Sequence, residues 1–360
     1  MSTQKTTFLL NWAPTPYHIP IYLAQKLGFF TRENLTLAIL EPSDPSDVTE
    51  LIGSGKIDMG CKAMIHTIAA KARGYGVTSV GTLLDEPFTG IVYLKHQGRI
   101  SEDIASLKGK KIGYVGEFGK VIVDELMRRF GMSEQDYTGW YIHFGKFNGV
   151  EHCLPFRKIS KPQKSIAVRV GMNVTSALIN SQIDGGIGLE NIQQVQLEHH
   201  SASLGLPPSN VGMLRIDELA ELGCCCFCSV LYIANDTFIK NHPEKVRGFM
   251  RAVRSAMDFI LANPKEAWKL FVEMKPAMDS PVNHSMYERS AVYFSKTGEN
   301  VHRDWAKVTN YAKHLGVVQE GFKPNYTNEF VPDLGDMKEK VLVEEDGVGV
   351  GKDGEDIVSR

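Results

Sequence analysis

Residues 7–53 read TFLLNWAPTPYHIPIYLAQKLGFFTRENLTLAILEPSDPSDVTELIG, and the order of periods in this stretch decides the fold class. Thr7–Trp12 is an apolar run of strand length, and Ile19–Phe30 repeats apolar residues at helical spacing. Leu35–Leu40 is again a strand and Val48–Gly53 a helix. A β-α-β-α order sets parallel strands side by side under crossover helices, which is α/β architecture. The alternation continues through a strand at Met59–Lys62, a helix at Met64–Ala72 and a strand at Val77–Leu84, while Ile91–Leu94 resembles a segment crossing to a second unit. Ser106–Lys111 then leads into a strand at Ile112–Val115, a glycine-bracketed turn and a helix at Val121–Phe130, as a second α/β lobe would begin. Beyond Cys228 the chain turns helical, with Pro243–Phe259 and Pro264–Met274 clearly amphipathic. The expected division is a first lobe over 1–95 with 224–330, carrying the C-terminal helices, and a second lobe over 96–223. The stretch 331–360 is expected to be a disordered tail, since Glu344–Arg360 is acidic, glycine-rich and poor in apolar groups.

A chain of 360 residues exceeds the usual size of one compact core, which agrees with two lobes. Hydrophobic residues at 43% and charged residues at 23% are ordinary globular composition. Forty basic against 42 acidic side chains leave no general field to gather nucleic acid or an anionic membrane, so small molecules are the expected partners. The apolar run Phe8-Leu9-Leu10 is cut by Asn11 and followed by prolines, so it is neither a secretory core nor a membrane span, and a cytoplasmic location is expected.

Three segments carry potential chemistry. Gly116-Glu117-Phe118-Gly119 lies where a strand hands over to a helix, a place where free amides can hold phosphate, although the spacing is neither a P-loop nor a dinucleotide fingerprint and a tight turn needs no ligand. Lys62 and His66 are four residues apart, so they share a face if the helix has already begun. A lysine can form a Schiff base with an aldehyde and a neighbouring imidazole can act as acid, base or reactant; in an arbitrary protein they would be a solvated lysine and a satisfied histidine. Cys224, Cys225, Cys226 and Cys228 precede the apolar Val230–Ala234 in what reads as a buried strand, with Cys224, Cys226 and Cys228 on one face. Two sulfurs at about 2.3 Å from one metal lie no more than roughly 4.6 Å apart. Strand positions i and i+2 are about 6.7 Å apart, so chelation needs leaning side chains or a bulge. Buried cysteine is often only a small hydrophobe, but four in this density suit a soft metal site for iron or zinc.

Taken with Asn11-Trp12, Tyr17-His18-Ile19-Pro20, the string from Gly55 to His66, Leu84–Gly90, Gly113–Lys120 and Val301–Trp305, these segments closely resemble the fungal 4-amino-5-hydroxymethyl-2-methylpyrimidine phosphate synthases of thiamine biosynthesis. The resemblance implies a fold similar to type II periplasmic binding proteins and a homodimer. It further implies that pyridoxal 5'-phosphate is held on Lys62, with Asn11, Trp12 and the turn Gly116, Glu117, Phe118 and Gly119 around it. In that family the histidine matching His66 donates ring atoms to the product, so the chain would turn over once, and the cysteine string Cys224, Cys225, Cys226 and Cys228 is implied to hold iron with oxygen as oxidant. A binding protein of the same fold that carries a pyrimidine or vitamin without chemistry would need neither His66 nor the thiols. An orthodox multi-turnover pyridoxal phosphate enzyme would need a group controlling the cofactor ring nitrogen, and none stands out.

The resemblance breaks at Gly139–Ile166, which the family lacks, and again beyond Phe330. Trp140, Tyr141, Ile142, Phe144, Phe147, Leu154 and Phe156 follow neither helical nor strand periodicity, and connections in α/β units are normally about two to six residues long. The segment reads as translated intron sequence, with a lineage-specific loop as the alternative.

Overall fold

A computed structural model describes residues 5–44, 47–114, 123, 126–128, 130–132, 138–141, 174–219 and 228–332. Two five-stranded sheets organise the chain. The first contains β1 (Thr6–Leu9), β2 (Leu37–Leu40), β3 (Met59–Ala63), β4 (Val77–Leu84) and β10 (Val230–Asn235), in the order β2-β1-β3-β10-β4. The second contains β5 (Thr89–Leu94), β6 (Lys111–Tyr114), β7 (Thr138–Tyr141), β8 (Gly185–Leu189) and β9 (Val211–Arg215), in the order β7-β6-β8-β5-β9.

Each sheet is parallel apart from the pairings of one strand, β10 in the first and β5 in the second. The reason lies in the connections. β4 ends at Leu84 and the chain passes through Asp85–Phe88 straight into β5, so β5 starts where the strands of the other sheet end. β10 returns the same way and runs against β3 and β4. The carboxyl ends of β1, β3, β6 and β8 therefore face the crossings, which is where open α/β sheets bind ligands. The crossing is Asp85–Phe88 and not Ile91–Leu94. Thr89–Leu94, which a boundary at residue 95 would leave in the first lobe, pairs with β8 and β9 in the second sheet.

Both faces of the first sheet are covered. Phe8, Met59, Cys61 and Tyr232 pack beneath the helices Ile19–Lys26 and Pro243–Ala262, with Phe8 and Phe249 stacked at 5.0 Å between centroids. Leu9, Leu231 and Ile233 pack on the opposite face against the helices Met64–Ala72 and His302–His314, where Trp305 is fully buried. This alternation is the period-2 signature of a sheet with two hydrophobic faces. The free side of β4 is sealed by the C-terminal region, since Ser79 N–H donates to Asn325 O and Thr327 N–H to Ser79 O, both at 2.9 Å.

Several local differences from the sequence expectations have simple causes. The run Ile19–Phe30 is two helices, because Gly28 takes φ 74° and ends the first at Lys26 before the second begins at Phe29. β1 stops at Leu9, so Asn11 and Trp12 lie beyond the strand in a bend. β10 begins at Val230, so Cys228 precedes the strand instead of forming its face. Val123 and 126–128 are helical as expected; of the expected tail 331–360, Val331 and Pro332 are half-buried, Val331 against the core, and 333–360 lie outside the described residues.

The helix Pro281–Ala291 ties the lobes together. Asn191 Nδ2 donates to Ser290 Oγ at 3.0 Å, Arg289 pairs with Glu190 and, at 3.1 Å, with Glu198, and Tyr293 Oη donates to Glu190 Oε2 at 2.8 Å.

Candidate functional site

β3 and the helix that follows it, Met64–Ala72, build the centre of the site. β3 is held close to β1 because Gly60 has no side chain: a Cβ there would stand 2.4 Å from Leu9 O and 2.6 Å from Ile52 Cδ1. Lys62 is the next-to-last residue of β3, paired with Leu231 of β10, and only 6% exposed. The chain turns at Ala63, and the helix starts at Met64, whose N–H is satisfied by Ser229 O at 2.9 Å. Lys62 is thus on a strand and His66 on the first turn of a helix, so a strand-to-helix corner brings them together and a shared helical face does not.

The electrostatics of the pair follow from burial. Desolvation lowers the Lys62 pKa to about 8, against the opposing pull of Cys61, Asp44 and Asp47. His66 is held well below its ordinary value, first by desolvation and then by the positive charges of Lys62 and Arg73. A neutral imidazole beside an amine that readily loses its proton is a nucleophile-rich corner, fit to receive an aldehyde.

Asn11 follows β1 at the carboxyl edge of the sheet, the edge at which β3 ends with Lys62 and Ala63. The register Phe8↔Met59 and Leu9↔Gly60 carries both chains to the same edge, and two residues past the last pair come Asn11 and Lys62. His18 Nε2 lies 2.8 Å from Asn11 Oδ1, the Cys61 thiol donates to the same oxygen at 3.2 Å, and Asn11 Nδ2 donates to Tyr17 Oη at 3.0 Å. Burial pushes the His18 pKa down to about 3 and the Cys61 thiol up to about 12, so both are neutral. Trp12 follows Asn11 and is half-buried.

Cys228 closes the site from the returning crossing. Its neighbour Ser229 accepts from Met64 N–H and its hydroxyl donates to Asp85 O, while Val230 pairs with Ala63. Thr89, the first residue of β5, hydrogen-bonds the Cys228 thiol, which burial raises to about 12. The thiol is therefore protonated, and a metal would have to displace that proton. Cys224, Cys225 and Cys226 lie outside the described residues, and among the described residues no group of three or more His, Cys, Asp or Glu could hold a metal ion. Gly116, Glu117, Phe118 and Gly119 also lie outside them; β6 ends at Tyr114, just before that turn, with its carboxyl end at the crossing edge.

Sequence reading assigned no role to Tyr17, His18, Cys61 or Thr89. The signal for the first two is faint: a histidine between two prolines, Pro16 and Pro20, gives no hint that its ring is fully buried.

With this geometry in hand, comparison with known proteins identifies the chain. The family described as NMT1/THI5 like matches residues 15–148 and 157–267. The chain belongs to that family. A 4-amino-5-hydroxymethyl-2-methylpyrimidine phosphate synthase of Aspergillus parasiticus is 57% identical over 92% of this chain and 88% of its own length. A Schizosaccharomyces pombe protein of the same name is 52% identical over 92% of this chain and 87% of its own. Among solved structures, the periplasmic aliphatic sulphonate binding protein SsuA of Escherichia coli superposes with a TM-score of 0.59 at 15% identity, covering 94% of this chain and 97% of that one. A Candida albicans protein described as having the generic periplasmic binding protein fold gives 0.63 at 12% identity, over 93% and 99%. At these identities the structures establish the fold alone, and the fold is that of periplasmic binding proteins. Of the segment Gly139–Ile166 that the resemblance left out, the family match includes 139–148 and 157–166 and skips 149–156.

Proposed function

We propose that the chain is a 4-amino-5-hydroxymethyl-2-methylpyrimidine phosphate synthase of thiamine biosynthesis that uses pyridoxal 5'-phosphate as substrate and takes ring atoms from its own His66. One observation carries this reading beyond the likeness to named synthases: Lys62, with its pKa lowered to about 8, shares a corner with an uncharged His66 at the carboxyl edge of the first sheet. Bound there, pyridoxal 5'-phosphate supplies an aldehyde carbon for an amine and a phosphate that anchors its ring. Lys62 holds the aldehyde end because a buried ammonium loses its proton readily. His66 keeps its ring uncharged because burial and two nearby cations oppose protonation. Asn11 and Trp12 are proposed to border the ligand, and the turn Gly116–Gly119, which follows β6 in the sequence, is proposed to take the phosphate.

The thiols of Cys224, Cys225, Cys226 and Cys228 are proposed to hold iron, with oxygen as oxidant; the part of that string within the described residues, Cys228, borders the Lys62 corner through Ser229. Loss of His66 atoms makes the chain a single-turnover reagent. Homodimer assembly and a cytoplasmic location belong to the same proposal. Among the described residues no helix is long and apolar enough to cross a membrane.

The test is mass spectrometry of the chain after incubation with pyridoxal 5'-phosphate, iron(II) and air. Mass loss confined to the peptide carrying His66, with one pyrimidine phosphate formed per chain, is expected. His66→Asn should bind pyridoxal 5'-phosphate and give no product. Product from His66→Asn removes the histidine from the reaction, and binding with neither mass loss nor product in the unmodified chain supports a non-catalytic carrier instead.

A further inference from the structure

The amide of Asn11 is fixed in one orientation by chemistry that does not depend on how an amide is drawn. His18 Nδ1 receives the backbone N–H of Thr15 at 3.1 Å and lies 3.0 Å from Thr15 Oγ1. A backbone N–H can only donate, so Nδ1 carries a lone pair. A neutral ring with Nδ1 bare keeps its hydrogen on Nε2, and the Asn11 atom 2.8 Å from Nε2 must be an acceptor. A second group agrees: the protonated Cys61 thiol, 3.2 Å away, also needs an acceptor in the same place. Rotating the amide by half a turn would set its N–H bonds against two donors.

The partners also decide which edge of Asn11 is left. Tyr17, His18 and Cys61 are 3%, 0% and 0% exposed, while Asn11 is half-buried just past β1, at the carboxyl edge that β1 and β3 share. The oxygen is engaged from the buried side and one N–H by Tyr17 Oη. Among the described residues, the polar capacity remaining to the Asn11 side chain is its second N–H.

We propose that His18, set as its Nε2–H tautomer by Thr15, pins the Asn11 amide so that an N–H edge meets the substrate, which makes His18 a positioning residue and Asn11 a donor to an acceptor atom of the bound phosphate ester. The inference rests on the pyridoxal 5'-phosphate reading above. It matches a ligand rich in acceptors, with a phenolic oxygen and phosphate oxygens but few donors.

The test is a double-mutant cycle read by equilibrium binding, with pyridoxine 5'-phosphate as probe, since that ester lacks the aldehyde and cannot link to Lys62. His18→Phe and Asn11→Ala should each weaken binding by about ten- to a hundredfold, the size of one hydrogen bond to a charged acceptor. The double variant should bind no worse than Asn11→Ala alone, because His18 acts through Asn11. His18→Gln, which can present an N–H at the Nε2 position, should recover most of the loss. A merely structural His18 would cost the same in the Asn11→Ala background, so multiplying losses overturn the proposal. Asn11→Asp, at a half-buried position and of unchanged shape, provides an arm independent of whether His18→Phe folds; wild-type affinity in that variant overturns the donor assignment. If the unmodified chain binds neither pyridoxine 5'-phosphate nor pyridoxal 5'-phosphate, the substrate reading falls and this inference with it, whereas multiplying losses in a chain that binds overturn this inference alone.

Discussion

Lys62 should titrate near pH 8 in the ligand-free protein, and the titration can be read residue by residue. Burial is the largest influence and lowers the value from 10.5 to about 8, while Cys61, Asp44 and Asp47 pull it back up. A fall of that size corresponds to a net penalty of about 3 kcal/mol on the buried ammonium. At pH 7 it leaves about one side chain in ten as free amine, against about three in ten thousand for an ordinary lysine. Trace labelling with acetic anhydride between about pH 6 and 11, followed by peptide mass spectrometry, measures the midpoint independently of how slowly the reagent reaches the site. Exposed Lys56, on the same chain, is the internal reference. Asp47→Asn removes a carboxylate that favours the ammonium, so its midpoint should fall below that of the wild type. Lys62→Met should stabilise the ligand-free protein at pH 7 by up to about 3 kcal/mol, a gain that shrinks as the pH rises to 10.5, where the wild-type chain no longer buries a charge. A Lys62 midpoint at or above 10, or a rise in Asp47→Asn, would refute the argument.

His18 predicts an acid limb in stability. Its folded value near 3 lies below the unfolded 6.5, so between these values the unfolded chain binds the extra proton; the contribution is complete above pH 6.5 and is lost as the pH falls toward 3. That is on the order of 4–5 kcal/mol in denaturant titrations, and His18→Phe should flatten this limb; an unchanged limb removes His18 as its cause. Cys228→Ser should leave the denaturation midpoint within about 1 kcal/mol of wild type yet lower bound iron or product yield, and a folded variant with full yield makes the thiol a packing residue. Sequencing the messenger RNA should show the codons for Gly139–Ile166 missing from the major species, and a tryptic peptide containing Trp140 in the purified protein contradicts this.

The elements with a clean period were legible in the sequence. Met64–Ala72, Val77–Leu84 and Pro264–Met274 occupy the very residues that their apolar spacing marks, because each buries the face its pattern defines. The crossing between lobes was misplaced because Thr89–Leu94 is buried along its whole length and reads as a continuous apolar run, with no alternation to show which sheet it joins. In the site, Lys62 and His66 were visible through residue type and separation, but the reason for their proximity was not, since the strand ends between them. Tyr17, His18 and Cys61 were illegible for a different reason. The Cys61 contact with Asn11 spans 50 positions and arises only when β1 lies against β3, while those of Tyr17 and His18, six and seven positions away, depend on how the irregular chain after β1 folds back on itself. Local propensity carries no information about such a contact.

β7 bears on the foreign segment in the same physical terms. Thr138–Tyr141 occupies the edge position of the second sheet, pairing Lys111↔Thr138, Ile112↔Gly139, Gly113↔Trp140 and Tyr114↔Tyr141. The first residues of the segment thus form a strand, although their periodicity did not announce one. A polypeptide in which Thr138 runs directly into Ala167 would bring Thr138-Ala167-Val168-Arg169 to the same four partners. That sequence is the better edge strand: it replaces a glycine, which weakens strands, with alanine, adds a β-branched valine, and ends on a charged residue that discourages edge-to-edge association. Trp140 and Tyr141 are good strand residues, yet they are followed by apolar groups without period, whereas Val168-Arg169-Val170 alternates and leads directly to the helix Val174–Ile179. Removing Gly139–Ile166 therefore keeps β6 paired, shortens the connection to that helix, and leaves Lys62, His66, Asn11 and Cys228 with their neighbours unchanged. The shortened chain should have a denaturation midpoint no lower than the longer one and the same Lys62 titration, and a lower midpoint would show that the segment belongs to the folded protein.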